Sequence, residues 1–346
     1  MTLFRPVLNR MRRMAGTSQD FWSSANELWH PAEAETRSFP AAIFLPGQLE
    51  RITGTVFGDA EHTRMAFLQD GPRSVGPTIA GMFRDVDLVD GVLYKGGAEF
   101  HLRVRKRKLP VAPRPVRSIS AALYDSWIGL RYFGNWLMDD TETYRLAESA
   151  GSPATLRGDR AGHRAAYEAL LGIAPQRIDG DVHFDELILF DDLANNSGKL
   201  ARAADRRARL AVGRDTSPTP GVFLLRGRTG DPRLLESEAD LADSLYQRHG
   251  IVPLQAEDHS VDDLLNACAG ARLLIGVEGS QLTHALTVMP PGGTMLALFP
   301  PDRVTAAMKL MTDRLDLSFA FVVGMGTVGG FRVDPDEVEA TIQLLS

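Results

Sequence analysis

The stretch LLIGVEGSQLTHAL, residues 273 to 286, joins a short apolar run to a helical pattern through a turn that contains two glycines. A short apolar run bounded by turn residues is typical of a strand that is buried on both faces. A carboxylate, Glu278, stands between Gly276 and Gly279 where this strand is predicted to end. Because α/β proteins bind ligands at the carboxyl ends of their parallel strands, the segment indicates both a fold class and a site.

The same alternation of strand and helix patterns continues from about residue 219 to the C-terminus. Strands are predicted at TPGVFLLRG, IVPLQ, RLLIG, GTMLALFPP and SFAFVVG, and helices at ESEADLADSLYQRHG, SVDDLLNACAGA and RVTAAMKLMTDRL. Repeated β-α units of this kind form a parallel sheet that is covered on both faces. We therefore expect an α/β fold with a Rossmann-like C-terminal domain, followed by a short helix capped by Asp334.

The length of the chain, 346 residues, exceeds what one hydrophobic core usually organises, so two domains are expected. The first half has a less regular pattern, with strands predicted at AAIFLPG, VLYKGG, AEFHLRVRKRKL and HFDELILFDD, and the segment GRDTSPTP is typical of a linker. The predicted division is an N-terminal extension (1–40), an N-terminal α/β domain (41–210), the Rossmann-like domain (211–330) and a C-terminal helix (331–346).

The composition excludes several classes of protein. A net charge of -6 is unfavourable for nonspecific binding of nucleic acid, which requires a basic surface. No apolar run reaches the roughly 18 to 20 residues that span a bilayer, and the N-terminus lacks the pattern of a signal peptide, so we expect a cytoplasmic protein. The single cysteine, Cys268, lies in a helical pattern and is expected to be a core residue.

Two segments carry local positive charge. The N-terminal MTLFRPVLNRMRRMAG is consistent with an amphipathic helix that attaches weakly to an anionic membrane, although a docking helix or a disordered leader would also fit. Between His101 and Arg117 there are seven Lys or Arg residues and no acid. This second segment is either a solvated edge strand with a proline-rich connection or a surface for an anionic acceptor.

The opening stretch is suited to an anion such as a diphosphate. Gly276 and Gly279 would let the backbone approach a ligand, and the N–H groups of Gly279, Ser280 and Gln281 would face it at the start of a helix. The spacing is neither that of a dinucleotide-binding fingerprint nor that of a P-loop. Glu278 would then accept hydrogen bonds from sugar hydroxyl groups.

A second strand of the same predicted sheet is followed by Arg226 and Arg228. A guanidinium group binds phosphate oxygens in a bidentate way, so the two strand ends together predict a pocket for a nucleotide diphosphate. His, Asp and Glu residues show no spacing typical of a metal site. We therefore expect neither a metal nor another cofactor.

Parts of the sequence are similar to glycosyltransferase family 61. The segments LLRGRTGDPRLLESEADL and HSVDDLLNACAGARLLIGVEGSQLTHALTVMPPGGTMLALFPP resemble its C-terminal half, and FGNWLMDDTETYRLAE resembles its HWL segment, which an acidic residue follows. The similarity covers roughly residues 118 to 300. The family commonly has histidine where Asn135 and Glu278 stand.

This resemblance implies a GT-B fold, with two Rossmann-like domains that face a cleft, and inverting transfer from a nucleotide sugar to a hydroxyl acceptor without a metal. Surface polysaccharide biosynthesis is the role that we expect. The matching positions include the expected donor site, the acceptor-side pair and the candidate base with its backup. Arg226, Gly279, Ser280 and Leu282 match the donor site, and Asn135 and Trp136 occupy the acceptor-side pair. Asp139 matches the acidic position and is the candidate base, with Asp140 as its backup.

Two alternatives remain at this stage. The replacement of both histidines is compatible with a catalytically degenerate subunit that binds a nucleotide sugar or a glycan in an assembly machinery. A nucleotide-sugar epimerase or hydrolase would use the same fold without an acceptor. Glu278 is also a less favoured candidate for the catalytic base.

Overall fold

The computed structural model describes residues 2–104, 111–158, 161–227 and 231–345. Arg228, predicted to bind the donor, and the basic residues 105–108 lie outside the described residues. The strands are β1 (Thr2–Leu3), β2 (Glu27–Ala32), β3 (Glu35–Phe39), β4 (Gly71–Val75), β5 (Thr78–Val89), β6 (Val92–Lys95), β7 (Ala98–His101), β8 (Ala112–Pro113), β9 (Ser118–Leu123), β10 (Pro153–Thr155), β11 (Gln176–Arg177), β12 (Val182–Asp191), β13 (Thr219–Leu225), β14 (Ile251–Gln255), β15 (Ala271–Val277), β16 (Thr294–Phe299), β17 (Ser318–Val323), β18 (Met325–Thr327) and β19 (Gly330–Arg332).

The helices alternate with these strands along the chain, and most of them connect two strands that belong to the same sheet. The α-helices are α1 (Arg5–Met14), α2 (Ala60–Leu68), α3 (Trp127–Arg131), α4 (Phe133–Asn135), α5 (Thr141–Ser149), α6 (Gly162–Leu171), α7 (Ser197–Ala211), α8 (Glu238–His249), α9 (Val261–Cys268), α10 (Thr283–Leu286), α11 (Ala307–Leu315) and α12 (Pro335–Gln343). Short 3₁₀ helices occur at Trp22–Ser24, Ala256–Asp258 and Ser280–Leu282, and a π-helix at Trp136–Asp140.

The chain divides into two compact units, each made of two segments. The first unit contains Met1–Ala34 and Gly76–Lys199, and the second contains Glu35–Val75 and Leu200–Ser346. These limits differ from the predicted division in two ways. Segment 35–75, most of which we assigned to the N-terminal domain, is part of the second unit, and the units separate after Lys199 rather than near residue 210.

The second unit is built on a five-stranded sheet in the order β14-β13-β15-β16-β17, and every neighbouring pair in it is parallel. Its central strands are buried on both faces, as the continuous apolar runs predict; Phe223, Ile275 and Leu296 are fully buried. Helix α9 begins at the capping box of Ser260 and Asp263 that the sequence indicates. The parallel α/β arrangement expected for this half of the chain is confirmed.

Aromatic packing explains why segment 35–75 belongs to the second unit. The ring of Phe67, on α2, is fully buried. Its centroid lies 4.6 Å from the ring centroid of Phe321 and 5.7 Å from that of Phe319, both on strand β17. The backbone of Ile43 bonds to the same strand edge, accepting from Phe321 and donating to Phe319. The stretch AAIFLPG, predicted as a strand, is reduced to this single bridge at Ile43. Local apolar patterning cannot tell which sheet such a segment joins.

The first unit has a mixed sheet in the order β11-β10-β9-β12-β5-β6-β7, and β2 also pairs with β5. Strands β9 to β12 run parallel to their neighbours within that group, whereas β2, β5, β6 and β7 pair antiparallel. The two-residue turn Asp90-Gly91, in which both residues have positive φ, forces the antiparallel hairpin of β5 and β6. The expected second Rossmann-like domain is therefore matched only by the parallel half of this sheet.

The structure also confirms the expected burial of the cysteine and the expected start of the C-terminal helix. Cys268 is fully buried, and burial raises the pKa of its thiol to about 12, as befits a core residue. Helix α12 begins where Asp334 accepts a hydrogen bond from the Asp336 N–H at 2.9 Å. Among the described residues, no helix is long and apolar enough to cross a membrane.

Candidate functional site

The candidate site lies at the carboxyl edge of the parallel sheet in the second unit. From β13 the chain passes through α8 to β14, which pairs with β13 on one side. It then passes through α9 to β15, which pairs with β13 on the other side. The connections therefore diverge between β13 and β15, and such a switch point is where open α/β sheets bind ligands. Arg226 follows β13 and Glu278 follows β15, so the structure brings the two predicted strand ends together.

Glu278 is paired with two arginines that the sequence analysis did not single out. Its Oε2 lies 3.3 Å from Nε of Arg233 and 3.2 Å from Nη1 of Arg303. Arg233 also donates to the backbone oxygen of Glu278 at 3.0 Å. Glu278 and Arg233 are 6% and 8% exposed. Arg303 follows β16 as Arg226 follows β13, so the argument from strand ends would have found it; Arg233 follows no strand and gave no such signal.

Arg226 is bound mainly by neutral groups. Its guanidinium donates to the Gln281 side chain at 3.4 Å and to the Asp231 backbone oxygen at 2.9 Å. Its Nε is buried without a hydrogen bond among the described residues. Burial lowers the pKa of Arg226, partly offset by Glu278, and lowers that of Arg233 to about 10. Three guanidinium groups thus converge where one buried carboxylate is the central anion.

A second carboxylate, Glu238, borders the cluster at the first turn of α8. Its side chain accepts from the backbone N–H of Arg226 at 3.1 Å. Burial raises the pKa of Glu238 from 4.5 to about 7, although the bond from Arg226 opposes the shift. Near neutral pH this group is therefore partly protonated, and the positive charge of the cluster is correspondingly greater.

The two glycines of the loop have different surroundings. A Cβ atom at Gly276 would come within 2.5 Å of the Leu224 backbone oxygen and 2.8 Å of the Leu282 side chain, so the chain itself fills the space that we expected a ligand to use. Leu282 is fully buried there. A Cβ atom at Gly279 would collide with Oε1 of Gln281 and lie 3.1 Å from Nη1 of Arg233. Only Gly279 adjoins the arginine cluster.

The helix expected to follow the loop is short. A 3₁₀ turn at Ser280–Leu282 precedes the four residues of α10. So few peptide dipoles add little to an anion site, because the field of a helix terminus builds up over several turns. Gln281 is held by its bond to the Val277 backbone oxygen at 2.6 Å and faces Arg226. The positive charge at this edge therefore comes from arginine side chains.

The candidate base, Asp139, lies in the π-helix of the first unit. It is 5% exposed, and its Oδ2 accepts a hydrogen bond from the Asn135 side chain at 3.0 Å. The backbone oxygen of Asp139 accepts from the Lys199 ammonium group at 3.2 Å. Single π-helical turns occur frequently at functional sites. The structure thus joins two of the predicted residues, Asn135 and Asp139, in one hydrogen bond.

Asp140, the backup candidate, has an internal role. Its Oδ1 accepts a hydrogen bond from the side chain of Ser126 at 2.7 Å, and the residue is 1% exposed. Burial raises its pKa well above the usual range, and the nearby Asp125 raises it further. Asp140 is therefore a buried internal group that is bonded to Ser126 within the unit. Trp136 is likewise buried at 1% and packs 5.7 Å from the Phe133 ring, so it forms part of the core.

A buried network surrounds Lys199, which sequence reasoning missed. The side chain of Lys199 is fully buried, and its ammonium group lies 3.0 Å from Asp192 and 3.3 Å from Glu142. Thr78 and Thr143 donate to the Asp192 carboxylate at 2.8 and 2.9 Å. Lys199 belongs to a basic helical pattern that is typical of a solvated face, so only the tertiary structure reveals its burial.

Among the residues that the structure describes, no group of three His, Cys, Asp or Glu side chains is arranged to hold a metal ion. The expectation that catalysis needs no metal remains a prediction.

Comparison with known proteins gives one family match and several relatives. A model of the family described as Glycosyltransferase 61 matches residues 39–296, which is 258 of the 346 residues. The chain is also similar to Protein O-linked-mannose beta-1,4-N-acetylglucosaminyltransferase 2 of Mus musculus, 32% identical over 118 residues, and to the protein of that name from Homo sapiens, 30% identical over 118 residues. Each alignment covers 32% of this chain and 20% of the relative, so the chain aligns with about a fifth of the length of the relatives it matches.

Proposed function

The chain belongs to the glycosyltransferase 61 family and is a glycosyltransferase, and from this premise we propose that it moves a sugar from a nucleotide-sugar donor to a hydroxyl group of an acceptor, with inversion at the anomeric carbon. The observation that carries the proposal is the convergence of Arg226, Arg233 and Arg303 at the switch point of the parallel sheet. Three guanidinium groups suit the diphosphate of such a donor.

In this proposal Arg226 is the principal phosphate ligand. Its guanidinium bonds to neutral oxygens, and its Nε lacks a hydrogen bond among the described residues. An incoming phosphate would therefore gain a charge-assisted bond without breaking an ion pair. Arg303 and Arg233 are already paired and would contribute mainly through their longer-range attraction.

Glu278 has two tasks in this arrangement. Its Oε2 holds Arg233 and Arg303 in position, while Oε1 has no hydrogen bond within the described part of the chain. The second oxygen is available to accept a hydroxyl of the donor sugar. This is the role expected from the sequence, joined to a positioning role that the sequence did not indicate.

The chemical step is a direct displacement. The acceptor oxygen forms a bond to the anomeric carbon as the bond from that carbon to the phosphate oxygen breaks, and the diphosphate leaves with the electron pair. We propose Asp139 as the base that takes the acceptor proton. The bond from Asn135 supports this role because it fixes the orientation of the Asp139 carboxyl group. The arginines stabilise the charge that develops on the leaving diphosphate without a metal.

The GT-B arrangement, a cytoplasmic location and a role in surface polysaccharide biosynthesis are what we propose from the sequence. The names of the relatives make N-acetylglucosamine the first donor sugar to test and a mannose-containing glycan the first acceptor. Because only a fifth of those relatives is aligned, other nucleotide sugars belong in the same test.

Thermal unfolding with a panel of nucleoside diphosphates and nucleotide sugars, with and without chelator, tests the donor site. A ligand at a hundred times its Kd stabilises a protein by about 2.7 kcal/mol, which is readily measured as an increase in Tm. We expect one nucleotide class to stabilise the wild type in the presence of chelator and to have no effect on Arg226→Ala.

The matched control is Arg272→Ala, which changes an exposed arginine at the opposite end of strand β15. This variant should respond as the wild type does. If no nucleotide raises Tm, or if both variants lose the response equally, the proposed donor site is wrong.

A further inference from the structure

Helix α1 exposes a stripe of apolar side chains that begins with Phe4, the residue directly before the helix. Phe4, Leu8, Met11 and Met14 are 60%, 49%, 61% and 82% exposed. At about 100° per residue, the first three lie within an arc of roughly 60°, and Met14 borders that arc. A helix docked on a domain ordinarily buries such a stripe against the core. On α1 the apolar face is instead open to the surroundings.

The opposite face of α1 holds the helix in this orientation. Asn9, on that face, is 3% exposed and donates from its side chain to the Ala98 backbone oxygen at 3.4 Å. Arg13 forms an ion pair with Glu99 on the same strand, β7. Polar contacts within the first unit therefore fix the helix with its apolar stripe outward.

The charge around this stripe is positive. Residues 1–19 contain four arginines and no acidic residue, and Arg10 and Arg12 flank the apolar arc. Strand β1, directly before the helix, pairs with β8, where Leu3 lies opposite Ala112. Strand β8 belongs to a segment, 100–124, with seven Lys or Arg residues and no acid. The pairing thus joins two basic segments of a chain whose net charge is -6.

We propose that the exposed face of α1 binds the surface of an anionic lipid bilayer. The apolar side chains would enter the boundary between headgroups and acyl chains, while the flanking arginines contact lipid phosphates. An apolar arc bordered by arginines matches this partner in both chemistry and charge. The inference goes beyond the proposed function, since neither the donor nor the transfer step requires a membrane. Its consequence is that the enzyme meets acceptors carried on that surface.

Sedimentation of the full chain with lipid vesicles tests the proposal without any nucleotide sugar, so its outcome is independent of the donor site. We expect binding to vesicles of phosphatidylcholine and phosphatidylglycerol, and much weaker binding to phosphatidylcholine alone. The double variant Leu8→Ser/Met11→Ser should bind at least about tenfold more weakly, because each side chain contributes apolar burial in the bilayer. Its Tm should match the wild type, since both side chains are exposed.

The control variant Leu344→Ser/Met325→Ser removes two side chains of the same types with similar exposure, 52% and 66%, far along the chain. It should bind as the wild type does. Arg10→Gln/Arg12→Gln should weaken binding about tenfold and reduce its salt dependence. The proposal is wrong if the wild type binds neither vesicle, or if the Leu8/Met11 and control variants lose binding equally.

Discussion

The two units each contain a cluster of buried charge, and the clusters differ in how completely their cations are paired. In the first unit, the Lys199 ammonium group donates to Asp192 and to the Asp139 backbone oxygen and forms an ion pair with Glu142. In the second unit, the Arg226 guanidinium donates to neutral oxygens within the described part of the chain, and one of its nitrogens has no hydrogen bond there. Burial is common to both clusters. Incomplete pairing at a strand end is what distinguishes a candidate ligand site from a structural network.

The sharpest challenge to this distinction concerns Asp139, which borders the Lys199 cluster and is nevertheless the proposed base. Asp139→Asn should lower the rate of sugar transfer by about 10² to 10⁴, the usual range for a general base. Stabilisation by the donor nucleotide should be unchanged, because the proposed donor residues belong to the second unit. A variant that transfers sugar at the wild-type rate would show Asp139 to be part of the structural network alone.

The structural character of the first cluster is tested by Lys199→Met, which leaves Asp192 and Glu142 without their buried cation. We expect the free energy of unfolding, measured with urea, to fall by about 3–5 kcal/mol. The control, Arg209→Met, lies on the same helix, α7, where Arg209 and Asp205 form an exposed pair at 2.7 Å. That change should cost at most about 0.5 kcal/mol. Equal losses for the two variants would show that the buried Lys199 network stabilises the fold no more than an exposed ion pair does.

Ligand rescue separates the two clusters directly. Glu278→Gln removes the anion that Arg233 and Arg303 share, so the free energy of unfolding should fall by about 1–3 kcal/mol. A nucleoside diphosphate should restore most of this loss, because its phosphates replace the missing charge. Asp192→Asn, which leaves Lys199 short of a partner, should be destabilised and should not be rescued. Rescue of both variants, or of neither, would remove the proposed difference.

The smallest expected effect is a change in pH dependence at the border of the arginine cluster. Because the pKa of Glu238 is raised from 4.5 to about 7, the folded protein retains a proton in this range that the unfolded chain has released. The free energy of unfolding therefore falls as the pH rises from about 4.5 to 7. In Glu238→Gln, this fall in the free energy of unfolding between pH 4.5 and 7 should be smaller by about 1–2 kcal/mol, a value that allows for the partial exposure of the side chain. Parallel curves for variant and wild type would rule the effect out.

The parts of the fold that could be predicted are those set by neighbours in the sequence. Continuous apolar runs identified the parallel strands of the second unit, and the glycine turn after β15 marked the edge at which the candidate site lies. The hairpin signal of Asp90-Gly91 was also present, and using it would have predicted the antiparallel half of the first sheet. Arg303 could have been found by applying the strand-end argument to β16.

What escaped prediction depends on contacts between distant residues. Lys199 has the sequence surroundings of an exposed lysine, and its burial follows from carboxylates on other elements, Asp192 and Glu142. The assignment of segment 35–75 to the second unit follows from the aromatic contacts of Phe67 with Phe319 and Phe321. Periodicity reports that such side chains are buried, but not which partners bury them.

The divided second unit has a consequence for the growing chain on the ribosome. Phe67 emerges long before Phe321, and at 5–20 residues per second the ribosome needs roughly 10 to 50 s to synthesise the intervening residues. During that interval, while the first unit is synthesised, segment 35–75 lacks strand β17, and its aromatic side chains are exposed to solvent. A nascent chain stalled after Lys199 would carry this segment without its sheet. Chaperone binding is therefore expected at this stage of synthesis, and proteins truncated there should aggregate.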